Sequence, residues 1–150
     1  MKEITIHTDG GYKSSIELSA WAWVRSSHDD IISYDSGAIM NKTNQQMEMQ
    51  AVIESLRGLT EDELNENTIL IHSDSAYICN CFKDKWWAKW VLNGWKNSKG
   101  DDVANKELWQ SIIDYYTKYD IRLIKVKGHS DNKFNNYADM LVNKAYEEYQ

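Results

Sequence analysis

Two apolar runs, Ile4-Thr5-Ile6-His7-Thr8 and Ile69-Leu70-Ile71-His72-Ser73, each lead directly into an aspartate, Asp9 and Asp74. Short apolar runs rich in β-branched residues read as buried strands, so the chain must carry an acid at the exit of each. The ends of neighbouring strands in an α/β sheet form the usual ligand crevice. Asp9 and Asp74 are therefore expected to share one cleft although 65 positions separate them.

The rest of the chain supplies a sheet and its covering helices. After a first strand near residues 3–8, Gly10-Gly11 reads as a tight turn. Ser19–Val24 and Asp30–Tyr34 have strand composition, and the polar residues between them suggest a hairpin. Thr43 or Asn44 is a plausible N-cap for a helix running to Arg57 or Gly58, with Met49, Val52, Leu56 and Leu59 on one face and Glu48 at its edge. Glu61–Glu66 reads as a solvated acidic loop. A short helix from Ser75, a Trp/Lys segment, a helix over 104–118 and a strand over Ile121–Val126 follow the second apolar run. A polar loop, Lys127–Lys133, leads to a last helix whose apolar face is Ala138, Leu141, Val142, Ala145 and Tyr149. Asp139 lies about 100° round that helix from the middle of the face, where an acid can point into a cleft. The order β-β-β-α-β-α-α-β-α predicts a mixed α/β layer fold with an antiparallel meander of the first three strands.

A chain of 150 residues with 42% hydrophobic content fits one domain over 1–150. Nothing near the N-terminus has the form of a signal peptide, and no apolar run approaches the ~20 residues of a membrane span. A soluble, cytoplasmic monomer with no membrane partner is expected. Cys79 and Cys81, the only two cysteines, fall on different sides of a helix and read as buried thiols rather than a disulfide or zinc site. The net charge of -6 argues against a nucleic-acid ligand, but the average hides a local contrast. Lys83–Lys99 holds five lysines against one acid, hence +4, and leaves -10 on the remainder. Four of the seven tryptophans, Trp86, Trp87, Trp90 and Trp95, lie in the same stretch. Lysines interleaved with flat rings suit contact with phosphates and sugars; an amphipathic helix that buries its tryptophans and solvates its lysines is a compatible reading.

Asp9, Glu48, Asp74 and Asp139 occupy four contexts: strand-Asp-Gly-Gly, helix-Glu, strand-Asp-Ser and a final helix Asp. Taken singly, an Asp after a strand reads as a cap and a Glu on a helix as solvated. Taken jointly, four clustered carboxylates repel one another and require cations. The all-oxygen set points to Mg²⁺, with Mn²⁺ as a substitute, rather than zinc. Two such ions ~3.5–4 Å apart serve phosphodiester hydrolysis.

At this point the chain resembles the type 1 ribonuclease H family. The matching residues are Thr8-Asp9-Gly10-Gly11, Thr43-Asn44-Gln45-Gln46-Met47-Glu48, Asp74-Ser75-Ala76-Tyr77, Trp90 with Asn93-Gly94-Trp95-Lys96, Leu108-Trp109, Val126-Lys127-Gly128-His129 and Ala138-Asp139. They run in the family's order over nearly the whole chain. The resemblance implies a ribonuclease H-like fold, a five-stranded mixed sheet flanked by helices, and Mg²⁺-dependent cleavage of the RNA strand of an RNA/DNA hybrid to 5'-phosphate and 3'-hydroxyl ends. It implies that Asp9 bridges two ions, that Asp139 completes the site of the water-activating ion, and that Glu48 and Asp74 hold the ion facing the leaving 3'-oxygen. His129 matches the family histidine that assists proton transfer or product release. Asn44, Gln45 and the Gly10-Gly11 backbone are placed near the minor groove, where 2'-hydroxyls are read, and Thr43 near a phosphate of the DNA strand. Trp86, Lys89, Trp90 and Trp95 form the segment that holds the DNA strand.

The chain departs from the family pattern at three places. Ala76 stands where many relatives carry Gln, Val91-Leu92-Asn93 replaces a more basic run, and Tyr12-Lys13-Ser14-Ser15 replaces a Gly-Pro-rich turn in a chain without proline. These changes predict weaker hybrid affinity and leave the acids untouched. Two other readings stand beside the nuclease: a hybrid-binding module using the Trp/Lys segment, and a related nuclease, resolvase or integrase acting on another duplex.

Overall fold

The computed structural model describes residues 2–127 and 132–149. Three long strands, β1 (Lys2–Lys13), β2 (Leu18–Ser27) and β3 (Asp30–Met40), form the antiparallel meander. Helix α1 (Asn44–Arg57) and a short α2 (Glu61–Glu66) lead to β4 (Asn67–Ser73). Helices α3 (Ala76–Lys83), α4 (Trp86–Leu92) and α5 (Lys106–Lys118) precede β5 (Ile121–Lys125), and α6 (Lys133–Tyr149) closes the chain. The sheet order is β3-β2-β1-β4-β5, with β4 parallel to both β1 and β5. The five-stranded mixed sheet is as expected.

Strand alternation divides the core between two layers. Ile4 and Ile6 of β1 join Val52, Ile53 and Leu56 of α1, Ile69 and Ile71 of β4, and Trp109 and Ile112 of α5 in the larger cluster. Leu18, Ala20, Ala22 and Val24 of β2 face the opposite way, onto Ala138, Leu141, Val142, Ala145 and Tyr146 of α6. Tyr146, not Tyr149, completes that helix face: Tyr146 is buried and Tyr149 is exposed. Both cysteines are buried and free, and burial pushes their thiols up to about 11 for Cys79 and about 12 for Cys81. Neither is a thiolate at neutral pH.

Three expectations are corrected. Gly10-Gly11 is no turn, because β1 runs through it to Lys13 with both glycines paired to β2. The acidic segment Glu61–Glu66 is helical. The Thr60 hydroxyl accepts from the Glu63 amide at 3.1 Å and the Glu63 carboxylate accepts from the Thr60 amide at 3.0 Å, a capping box that satisfies free N–H groups at the helix start. The Trp/Lys segment adds a further helix, α4, to the predicted order. Its tryptophans are half-buried against the larger core while Lys83, Lys85, Lys89, Lys96 and Lys99 are exposed, so the segment is amphipathic although no residue of α4 is fully buried. Among the described residues no helix is long and apolar enough to cross a membrane.

Candidate active site

The register of β1 against β4 creates the cleft. The two strands pair in parallel up to His7 opposite His72 and then part. Asp9 and Asp74 stand at the same offset as that last pair, so they flank the gap directly. Asp9 remains fixed by pairing opposite Ala22 of β2, and Asp74 follows the last residue of β4. The Ser75 hydroxyl then caps α3, accepting from the Ile78 amide at 3.2 Å, and sets the chain's exit from the sheet.

Glu48 reaches the same gap from α1. A capping box starts this helix: the Gln46 amide donates to Thr43 Oγ1 at 3.1 Å, and the Thr43 amide donates to Gln46 Oε1 at 2.9 Å. The helix lies directly on β1 because residue 10 has no side chain. A Cβ there would collide with the Met47 carbonyl carbon and the Glu48 amide, both rigid backbone. Oxygens of Asp9, Glu48 and Asp74 all lie within 4.8 Å of one another. Asp139, on α6, is exposed at the rim, beside buried Ala138; its charge and a side-chain hydrogen bond act on Asp9.

The electrostatics are those of a site built for a cation. Burial, followed by the charges of Asp74 and Asp139, raises the Asp9 carboxyl to about 7, against a lowering contribution from the Gly10 amide. Burial, followed by the charges of Asp9 and Asp74, raises Glu48 to about 10. Glu48 Oε2 is buried without a hydrogen-bond partner. A buried oxygen that would be anionic, left unpaired amid other acids, is costly unless a cation is its partner. The donors are hard oxygens, the class that suits Mg²⁺ and Mn²⁺, so the residues fit such an ion.

The cleft has a volume of about 450 Å³ and takes in Asp9, Gly10, Gly11, Asn44, Gln45, Glu48, Asp74 and Asp139 among the predicted residues. Thr43 sits just outside it as the N-cap of α1. Trp86, Lys89, Trp90 and Trp95 do not line it and form a separate ridge. There Trp90 packs on Trp109 at 5.5 Å and on Trp95 at 6.0 Å between ring centroids, with Lys89 exposed. Lys96 is engaged in an ion pair with Asp102, which lowers the positive charge of the ridge further. His129 lies outside the described residues.

Sequence reasoning missed several lining residues: Tyr12, Ser75, Asn135, Asn143 and Tyr146. The signal for three of them was present, since Asn135, Asn143 and Tyr146 stand at four before, four after and seven after Asp139, on one stripe of an α-helix. His7 and His72, the last paired residues of β1 and β4, stack at 4.4 Å with an interplanar angle of 10° beneath the gap. Burial, followed by the charge of His72, lowers His7 to about 4, and burial also lowers His72, so His7 offers no countercharge to the acids at neutral pH.

Comparison with known proteins adds the following. The sequence profile described as RNase H matches residues 1–147. A protein named Ribonuclease H from Syntrophomonas wolfei is 40% identical over 147 residues, covering 97% of this chain and 97% of that one. Another of the same name from Moorella thermoacetica is 39% identical over 145 residues, covering 97% of this chain and 92% of that one. Among solved structures, LC11-RNase H1 in complex with RNA/DNA hybrid superposes with a TM-score of 0.74 at 20% identity, covering 97% of this chain and 98% of that one. LC9-RNase H1, described as a type 1 RNase H with the type 2 active-site motif, gives 0.78 at 21% identity, covering 100% of this chain and 74% of that one.

Proposed function

The chain belongs to the RNase H family and is a ribonuclease, and from that premise we propose that it hydrolyses the RNA strand of RNA/DNA hybrids at the Asp9–Glu48–Asp74–Asp139 cleft. The observation that carries this reading is the acid cluster itself: three carboxylates within 4.8 Å with one buried oxygen unpartnered, and no basic side chain among the described residues lining the cleft. Such a site either keeps protons on its carboxyls or takes cations to fill it.

Two Mg²⁺ ions, or Mn²⁺ in their place, supply when bound the activation of a water and the stabilisation of the departing 3'-oxygen, which leaves 5'-phosphate and 3'-hydroxyl ends. Asp9, central to the group, is the shared ligand. Asp139 serves the water-activating side, and Glu48 and Asp74 serve the leaving-group side. His129 assists proton transfer or product release. The chain's other residues select the substrate. Asn44 and Gln45, exposed on the first turn of α1 and lining the cleft, each donate and accept, which suits ribose 2'-hydroxyls in the minor groove of an A-like duplex. The backbone of Gly10 and Gly11 approaches the same groove, and Thr43 stands by a phosphate of the DNA strand. The ridge of Trp86, Lys89, Trp90 and Trp95 holds the DNA strand beyond the cleft. The solved complex of LC11-RNase H1 with an RNA/DNA hybrid supports this substrate class.

The test is cleavage of labelled RNA/DNA hybrid, duplex RNA and duplex DNA with Mg²⁺, Mn²⁺ or EDTA. Metal-dependent cutting of RNA in the hybrid alone is expected. Absence of metal-dependent RNA cleavage, or equal cutting of all three duplexes, refutes the reading.

A further inference from the structure

Tyr146 is a polar group at the cleft that no role assigned above uses. It stands on α6, two turns beyond Asp139, and helical side chains lean back toward the N-terminus, so its phenol reaches along the helix toward the acids. The ring is buried in the smaller core, yet the residue lines the cleft. Its hydroxyl makes no hydrogen bond to protein among the described residues and is not sealed from the cleft.

The hydroxyl occupies space that residue 11 leaves free. A Cβ at Gly11 would lie 2.6 Å from Tyr146 Oη. Gly11 has ordinary strand geometry, without the positive φ that would explain a glycine by its backbone. Its lack of a side chain therefore serves the phenol. Lys13 places Nζ over the Tyr146 ring at 5.8 Å from the centroid and helps hold its orientation.

The surroundings identify what the hydroxyl would meet. Asp9 and Asp139 line the same cleft and their charges act on it, and no lysine or arginine lines the cleft among the described residues. An anionic phosphate is poorly served by that environment without metal. A neutral ribose hydroxyl suits it, because each partner both donates and accepts. We infer that Tyr146, admitted to the cleft by Gly11, hydrogen-bonds a ribose 2'-hydroxyl of the RNA strand on the Asp139 side of the site and adds to discrimination against DNA. This rests on the hybrid-nuclease reading.

The experiment compares wild type, Tyr146→Phe, Gly11→Ala and the double variant on hybrids in which single riboses around one cleavage position are replaced by deoxyribose, reading kcat/KM together with melting temperature. Tyr146→Phe is expected to keep the wild-type melting temperature and to lose roughly tenfold in kcat/KM on the all-ribose strand, the size of one hydrogen bond. One deoxy position should cost the wild type a similar factor and cost Tyr146→Phe nothing further. Gly11→Ala should match Tyr146→Phe by displacing the hydroxyl, and adding Tyr146→Phe to it should cost nothing more. Equal deoxy penalties in wild type and Tyr146→Phe at every position, or full activity of Tyr146→Phe, overturn the inference while leaving the nuclease intact. A wild type that cuts no hybrid overturns both.

Discussion

Removing the charge of Glu48 should make the metal-free protein more stable, increasingly so as pH rises. Burial and the neighbouring Asp9 and Asp74 charges raise this carboxyl from 4.5 to about 10, so between those values the folded protein holds a proton that the unfolded chain has released. Stability then falls with rising pH, by about 1.4 kcal/mol per unit for one such group. At pH 7 the accumulated cost is about 3–4 kcal/mol, the 2.5 units between pH 7 and 4.5 multiplied by that slope. Glutamine fills nearly the same volume and takes up no proton. For a domain of this size ~2–4 °C accompanies each kcal/mol, so Glu48→Gln in EDTA should melt roughly 6–16 °C above wild type at pH 7. The gap should almost close near pH 4.5 and widen toward pH 8. Thermal melts by circular dichroism from pH 4.5 to 8 measure the gap directly. Added Mg²⁺ should lift the wild type more than Glu48→Gln, which keeps Asp9, Asp74 and Asp139, narrowing or reversing the order. Parallel melting curves against pH in EDTA would refute the claim that the fold confines a carboxylate there against its preference for water.

Asp9→Asn should abolish hybrid cleavage and retain the wild-type circular dichroism spectrum, since the amide cannot replace a carboxylate shared between two divalent ions; a lost fold would show that Asp9 is structural. Gly10→Ala should cost about 1–3 kcal/mol in denaturant melts, because α1 must move away from β1, and should lower cleavage on the order of a hundredfold through displacement of Glu48; wild-type values for both would contradict the close packing. Lys89→Ala should reduce the slope of log affinity against log salt by about 0.9 in hybrid-binding anisotropy, and Asp102→Asn, which frees Lys96 from its ion pair, should tighten binding at low salt. Unchanged salt slopes in both would detach the ridge from the substrate.

The clustering of the four acids at one cleft was legible because each is tied to a local pattern with its own physics. Asp9 and Asp74 follow strands whose apolar periodicity is unambiguous, and their shared cleft follows from strand-end geometry. What the sequence could not show was pairing. Gly10-Gly11 reads as a turn because glycine is common in turns, whereas its role comes from α1 and Tyr146, partners 38 and 135 positions away that no local signal names. The hexamer Glu61–Glu66 lacks an apolar stripe and so reads as loop, although Thr60 and Glu63 carry a capping box. Tyr146 and Tyr149 are equally plausible on composition; the burial of one and exposure of the other follow from how far β2 extends beneath α6. The Trp/Lys segment supported two readings because amphipathic packing and strand binding demand the same residue types.

The sheet is also a partition. Glu48 is carried by the layer whose core is built on α1 and α5, whereas Asp139 and Tyr146 are carried by the layer built on α6. Asp9 lies on the strand between them. The two layers have separate cores, so a cavity made under Leu141 should disturb the rim acid and the tyrosine while sparing Glu48, and one made under Val52 should do the reverse. Each half of the site thus has its own foundation, and drift in one core can shift Glu48, or Asp139 and Tyr146, without the other, with β1 as the fixed rail against which both are aligned.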